Sequence, residues 1–326
     1  MNSKYIISAN KVKIAVAMIS AFLAICMTSE VTIAALSAET PAGEIALTFD
    51  DAPRKSTYLS GDQRTEMLLH GLKRANVDRV AFFCTTQGFD ENGRQRIHKY
   101  ADAGHAIANH THTHPSLNKV GPTSFIQDLM VADGILKSWT HFRTWFRFPF
   151  LHEGTTAADR DSLRSRLSQL GYINGYVTVD TYDWYMDALL QEAAAKNQTV
   201  HFDRLEKAYV EILWDGIQFY DRIARTVLGR SPKHVILLHE NDLAALFVDA
   251  LVEKLRSENW KIISPDEAYT DPIADELPDI LRNNQGRVVS IALARGYQGP
   301  TTHESESESY IRREFEKREI FESKGR

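Results

Sequence analysis

The sequence predicts an α/β domain built on a parallel sheet, either open or closed into a barrel. Two observations predict it. Short apolar runs of strand length alternate with longer amphipathic runs seven times between residues 44 and 264, the rhythm of strand–crossover–strand units. Polar residues gather where the apolar runs stop, at the C-terminal ends of the expected strands, where such sheets place their chemistry.

Residues 1–38 read as an export signal. Lys4, Lys11 and Lys13 precede the apolar run IAVAMISAFLAICM (14–27), and small residues follow it, with cleavage expected after Ala34 or Ala38. A spanning helix needs about 20 apolar residues, and Ser20 and Thr28 leave this run short of that. Export to the periplasm or the outside is therefore expected over an uncleaved anchor. Of the two cysteines, only Cys84 lies beyond the leader, so no internal disulfide is expected. The net charge of −5 across 326 residues argues against a nucleic-acid partner or stable membrane insertion.

EIALTF (44–49), RVAFFC (79–84), HAIANH (105–110), TWFRF (144–148), INGYVTV (173–179), HVILLH (234–239) and WKIIS (260–264) read as strands. QRTEMLLHGLKRA (63–75), TSFIQDLMVADGILKSW (123–139) and LVEKLRSE (251–258) read as helices. Residues 187–230 depart from the rhythm as a long helical stretch. There Leu205, Tyr209, Leu213, Ile217, Tyr220 and Ile223 recur at a spacing that predicts a core-facing stripe. The alternation stops after Ser264. HESESESYIRREFEKREIFESKGR (303–326) is so highly charged that a solvated tail or frayed helix is expected. The expected division is thus a leader (1–38), a barrel-like domain (39–270) and a partly flexible C-terminal extension (271–326).

The chemistry starts at LTFDDAP (47–53), where the first strand stops on two adjacent carboxylates. Like charges side by side raise each other's pKa unless a cation or donor lies between them. Asp50 and Asp51 are either a solvated turn or a pair in which one binds a metal and the other handles a proton. NHTHTHPSLN (109–118) offers His110 and His114, four apart, which one helical turn or a tight loop points at one ion, with His112 facing away. Two imidazoles and one carboxylate make an open divalent site, typically for Zn²⁺, and Asp51 is placed to complete it. Arg147 ends the fourth strand, where a guanidinium holds a neighbouring carboxylate in one orientation. DTYDW (180–184) ends the next on carboxylates and a large aromatic, and His239 ends the sixth, as an acid for a leaving amine. Each also has a plainer explanation: a surface ion pair for Arg147, helix caps for Asp180 and Asp183, a satisfied loop histidine for His239.

Taken in order, TFDD (48–51), HTHTH (110–114), RFPF (147–150), DTYDW (180–184) and LLH (237–239) closely resemble the five motifs of the polysaccharide deacetylases. This carbohydrate esterase family includes chitin, peptidoglycan and nodulation-factor deacetylases. The resemblance covers about residues 44–265 and implies a distorted (β/α) barrel of about seven strands. It implies Asp50 as general base, Asp51, His110 and His114 as metal ligands, and Arg147 as the group orienting Asp50. Asp183 would hydrogen-bond His239, the general acid. Trp184 and Leu237 would line the groove and the acetyl-methyl pocket, and the Phe150 backbone N–H would help stabilise the oxyanion. Ala52 stands where the family usually has glycine, LHEG (151–154) after the third motif is unusual, and the 187–230 stretch is long enough to narrow the groove.

The implied function is metal-dependent N-deacetylation of N-acetylhexosamine units in a glycan, with Zn²⁺ expected and Co²⁺, Ni²⁺ or Mn²⁺ as alternatives. The same site acting on another amide or an O-acetyl ester is the second expectation. A catalytically silent glycan-binding protein is the third, and the base–acid pair argues against it. A haloacid-dehalogenase-type phosphatase is excluded, because its two acids are separated by one residue.

Overall fold

In a computed structural model, residues 40–281 and 284–323 are described. The expected leader, residues 1–38, lies outside them. In chain order the elements are β1 (Gly43–Ala52), α1 (Gly61–Arg74), β2 (Ala81–Cys84), α2 (Glu91–Asp102), β3 (Ala106–Asn109) and α3 (Leu117–Leu136). β4 (Phe142–Phe146), α4 (Ala157–Gln169), β5 (Ile173–Asn174), α5 (Asp183–Ala195), β6 (Thr199–Val200) and α6 (Phe202–Leu228) follow. The remainder comprises β7 (Lys233–His239), α7 (Asp242–Ser257), β8 (Trp260–Ile262), α8 (Pro265–Ala268), α9 (Arg287–Ala294), α10 (Glu308–Lys317) and β9 (Phe321–Glu322). Short 3₁₀ turns punctuate several connections.

β1 is the central strand. It pairs with β7 along one edge, while β2 and β8 share the other, and the order runs on as β5-β4-β3-β2-β1-β7. Every pair in this seven-stranded sheet is parallel. Ile45, Ala46, Leu47, Thr48 and Phe49 of β1 and Val235, Ile236 and Leu238 of β7 are all buried, as strands covered on both faces should be. Several of the helices start on side-chain caps. Ser60 forms a capping box with Gln63, and Asn241 caps α7 by accepting from the Ala244 N–H.

The expected fifth strand, 173–179, is interrupted. Only Ile173 and Asn174 form a ladder with β4, because the Gly175 and Tyr176 carbonyls turn away to accept hydrogen bonds from the buried Arg147 side chain. Gly175 is required there: a Cβ would lie 2.6 Å from the Phe83 ring. The chain rejoins the sheet at Val179, which bridges Ile236, and the Leu237 N–H donates to the Val179 carbonyl at 3.0 Å. The sheet is thereby curled back towards β7, giving the distorted barrel. The helix expected at 123–139 spans 117–136 and is broken at Gly121 (φ 74°), just before Pro122.

All six residues of the predicted stripe on α6 are buried. The stretch is nevertheless two helices, parted by the short strand β6. That strand pairs antiparallel with β9, which lies in the run expected as a solvated tail. Charge misleads there. Ile311, Phe315 and Ile320 recur along one side of the run and enter the main core. The charges bind neighbouring elements, Arg312 to Glu192 at 2.9 Å and Arg318 to Glu211 at 2.5 Å. Among the described residues, no helix is long and apolar enough to cross a membrane.

Candidate active site

Parallel register brings the scattered motifs to one end of the sheet. Asp50 is the Cα partner of Phe83 on β2 and of His239 on β7. The His110 N–H donates to Cys84 O, and the Arg147 N–H to Asn109 O, so the residues that leave β3 and β4 stand at the same level. The adjacent carboxylates are explained by a bulge. Between Asp50 and Ala52 the register with β2 shifts, and Asp51 adopts φ 67°. Successive strand residues ordinarily face opposite sides; a bulge re-aims one of them. As a result His110 Nε2 lies 3.7 Å from both Asp50 Oδ2 and Asp51 Oδ1.

His110 and His114 meet through a tight loop, not a helix. Thr111 (φ 73°) and His114 (φ 56°) hold left-handed backbone, which costs about 1–2 kcal/mol per non-glycine residue. Local hydrogen bonds hold it: Asn109 Oδ1 accepts from the Thr111 N–H, and Asp128 of α3 accepts from the N–H groups of His112 and Thr113. His112 turns to Thr86, its Nδ1 2.8 Å from the hydroxyl. His114 Nε2 is 3.4 Å from Asp51 Oδ1, and one ligand atom from each of Asp51, His110 and His114 lies within 4.8 Å of the others.

The donor set suits a divalent cation. His110 Nδ1–H donates to the Arg147 carbonyl at 2.8 Å, which leaves the Nε2 lone pair facing Asp51. Burial lowers the pKa of both imidazoles to about 4, so they are neutral, as ligands must be. Burial also works to raise Asp51, but nearby positive charge, that of His239 first, outweighs it and holds this carboxyl below its usual range. Asp50 goes the other way: burial raises it, and Arg147 offsets only part of that.

Arg147 is fully buried and gives its donors to Asp50 Oδ1 (2.7 Å), the Thr48 hydroxyl (2.8 Å), Gly175 O (2.7 Å) and the Tyr269 hydroxyl (3.0 Å). Its guanidinium carbon lies 4.0 Å from the Phe83 ring centroid. Asp183, also fully buried, accepts from His239 Nδ1 at 2.7 Å, from the His239 N–H at 2.8 Å and from Asn241 Nδ2 at 2.9 Å. Burial disfavours the His239 imidazolium, yet Asp183 overcomes it and raises the pKa to about 9. The plain reading of Arg147 as a surface ion pair fails on burial; Asp183 does open α5, but its carboxylate is taken up by His239 and Asn241.

These groups face a cleft of about 460 Å³. Asp50, Asp51, His110, His114 and His239 line it together with Phe150, Trp184 and Leu237, while Arg147 and Asp183 stand behind its wall. Phe150 packs edge-on against His114 with 4.6 Å between centroids, and Trp184 against Tyr182 at 5.2 Å.

Three comparisons relate the chain to known proteins. Residues 37–174 match the sequence profile of the family described as polysaccharide deacetylase. Over that stretch the chain is similar to the polysaccharide deacetylases. A curated relative, a peptidoglycan-N-acetylglucosamine deacetylase of Bacillus cereus, is 33% identical over 93 residues. That match covers 28% of this chain, and the chain spans 30% of the relative's length. Among solved structures, a family 4 carbohydrate esterase of Streptomyces lividans in complex with acetate aligns at 24% identity and a TM-score of 0.44, over 70% of this chain and 97% of that one. A family 4 acetyl xylan esterase of Clostridium thermocellum in complex with a cobalt ion aligns at 19% and 0.46, over 69% and 90%.

Several residues at the candidate site carry no functional reading in the sequence. Asn241 was legible as a neighbour of His239, two positions on. Tyr269 has no local signal, since it reaches Arg147 from the turn after α8. Asp180, which the sequence offered as a helix cap, instead enters the cleft, where burial and then Glu306 raise its pKa to about 8. His152 and Asn284 also line the cleft.

Proposed function

We propose that the protein is an exported, metal-dependent N-deacetylase of N-acetylhexosamine units in a glycan. The observation that carries this is the Asp51–His110–His114 cluster set beside an arginine-bound Asp50 and facing the His239–Asp183 pair across one cleft. Asp51, His110 and His114 would hold the ion, with Zn²⁺ expected and Co²⁺, Ni²⁺ or Mn²⁺ as alternatives. When bound, the ion polarises the acetyl carbonyl and acidifies the attacking water, from about 15.7 towards 7.

The protein's own groups do the rest. Arg147 fixes Asp50 Oδ1, leaving Oδ2 to take a proton from the attacking water. The Phe150 backbone N–H donates to the developing oxyanion. His239, with Nδ1–H tied to Asp183, presents Nε2–H to the departing sugar nitrogen and protonates it as the C–N bond breaks. One water is consumed, and acetate and a free amine are released. Trp184 offers a face for the sugar ring and Leu237 bounds the acetyl methyl group.

A panel of N-acetylated glycans, small amides and O-acetylated xylan, scored for acetate by mass spectrometry against an Asp50→Asn control, tests this. Release from O-acetyl esters alone would move the substrate class. Glycan binding with no release above the control would make the protein a binding module.

A further inference from the structure

His152, in the loop after β4, is fixed at both ring nitrogens. Its Nδ1 accepts from the Ser116 hydroxyl at 2.8 Å, and its Nε2–H donates to Asn284 Oδ1. This is a neutral imidazole with one donor and one acceptor, both used; burial holds its pKa below the ordinary value. The two ends of the bridge come from parts of the chain 132 residues apart, the loop that also carries Phe150 and the segment leading into α9. Both His152 and Asn284 line the catalytic cleft. The His152 ring lies 5.4 Å from that of Phe150, which itself packs on His114.

The C-terminal segment continues along the same side. Gln285 Nε2 donates to Glu306 at 3.2 Å, and the Tyr220 hydroxyl of α6 donates to Glu306 at 2.5 Å. Glu306 in turn acts on Asp180 and Tyr182, two further cleft residues. Tyr182 and Trp184 continue the lining from the start of α5. A side-chain bridge thus joins the β4 loop to the C-terminal segment at the cleft, and its volume of about 460 Å³ falls in the range of pockets for small ligands, about 300–1,000 Å³.

Building on the deacetylase reading, we propose that the His152–Asn284 bridge terminates the substrate groove, so that the site takes short N-acetylated oligosaccharides or chain ends in preference to the interior of a long polymer. His152 and Asn284 are then specificity-determining residues. They exclude the sugar units that would extend past the bridge, and the reaction at the metal side is left as it is.

The test compares kcat/KM per acetyl group for N-acetylglucosamine oligomers of increasing length and for a long soluble chitin derivative. Wild-type protein, His152→Ala and Asn284→Ala are assayed, with binding of the same ligands followed by isothermal titration calorimetry and folding by thermal melts. The wild type should favour the oligomers, and each variant should raise the ratio of long-polymer to oligomer kcat/KM by about tenfold. A wild type that cleaves polymer interiors as fast as oligomers, or folded variants whose length preference equals the wild type's, overturns the proposal. If no substrate releases acetate, the deacetylase reading falls, and the bridge is judged by binding: chain-length discrimination lost in both variants supports it. Equal affinities across lengths in the wild type, or no glycan binding at all, overturns it.

Discussion

Asp183→Asn isolates the charge that tunes His239. The two side chains are 2.7 Å apart, Asp183 is fully buried and only 16% of the His239 side chain is exposed. Solvent screening of the pair is therefore weak. Without the carboxylate, burial acts on the imidazole against far less opposition, and its pKa falls from about 9 to the ordinary 6.5 or lower. At about 1.36 kcal/mol per pKa unit, the pairing is worth on the order of 3 kcal/mol. Because the folded-state value lies above the unfolded one, that stabilisation is fully present below pH 6.5 and disappears as pH rises through about 9. In metal-free protein the variant should melt below the wild type at about pH 6, with the gap narrowing by about pH 9.5. NMR titration of His239 reads the pKa directly. In metal-loaded enzyme the alkaline limb of kcat/KM should move to lower pH while metal content stays unchanged. A His239 that still titrates near 9 in Asp183→Asn, or near 6.5 in the wild type, refutes the reasoning.

His110→Ala and His114→Ala should each weaken metal binding by at least about a hundredfold, more than the loss of an outer-shell partner usually costs. His112→Ala should retain metal, because that ring bonds Thr86; equal losses by elemental analysis at all three positions would contradict the ligand assignment. Gly175→Ala should cost about 1–3 kcal/mol by forcing the Phe83 ring, and with it Arg147, to move. An unchanged urea midpoint would show that the strand break at Gly175 tolerates a side chain. Phe315→Ala should cost about 3–5 kcal/mol if the charged C-terminal helix belongs to the core. A loss below about 1 kcal/mol would make that helix dispensable.

The site was largely legible because its chemistry sits where apolar runs end, and parallel register places those ends side by side. Asp50, His110, Arg147 and His239 each follow a recognisable strand, so their meeting needed only the sheet. The bulge at Asp51 was hidden, since nothing in TFDDAP distinguishes a bulged residue from the next one along the strand. Tyr269 and Asn284 were hidden for a different reason, and of His152 only its place in an unusual loop showed: their contacts span 122 and 132 residues and leave no local pattern. The charged tail misled because three apolar residues are diluted among many ions, and composition averages over the face they share. The break in the fifth strand was illegible because its cause, the hydrogen-bonding demand of the buried Arg147, lies on another strand.

Asp50 and His239 are opposed partners on the β1–β7 ladder, so the proposed base and acid are aligned by backbone pairing alone. A slip of one residue between these strands would send one of them to the far face of the sheet and strand it among aliphatic side chains. Misthreaded chains, however compact, would then be mute, and turnover becomes a gauge of how many molecules have threaded their central strands correctly.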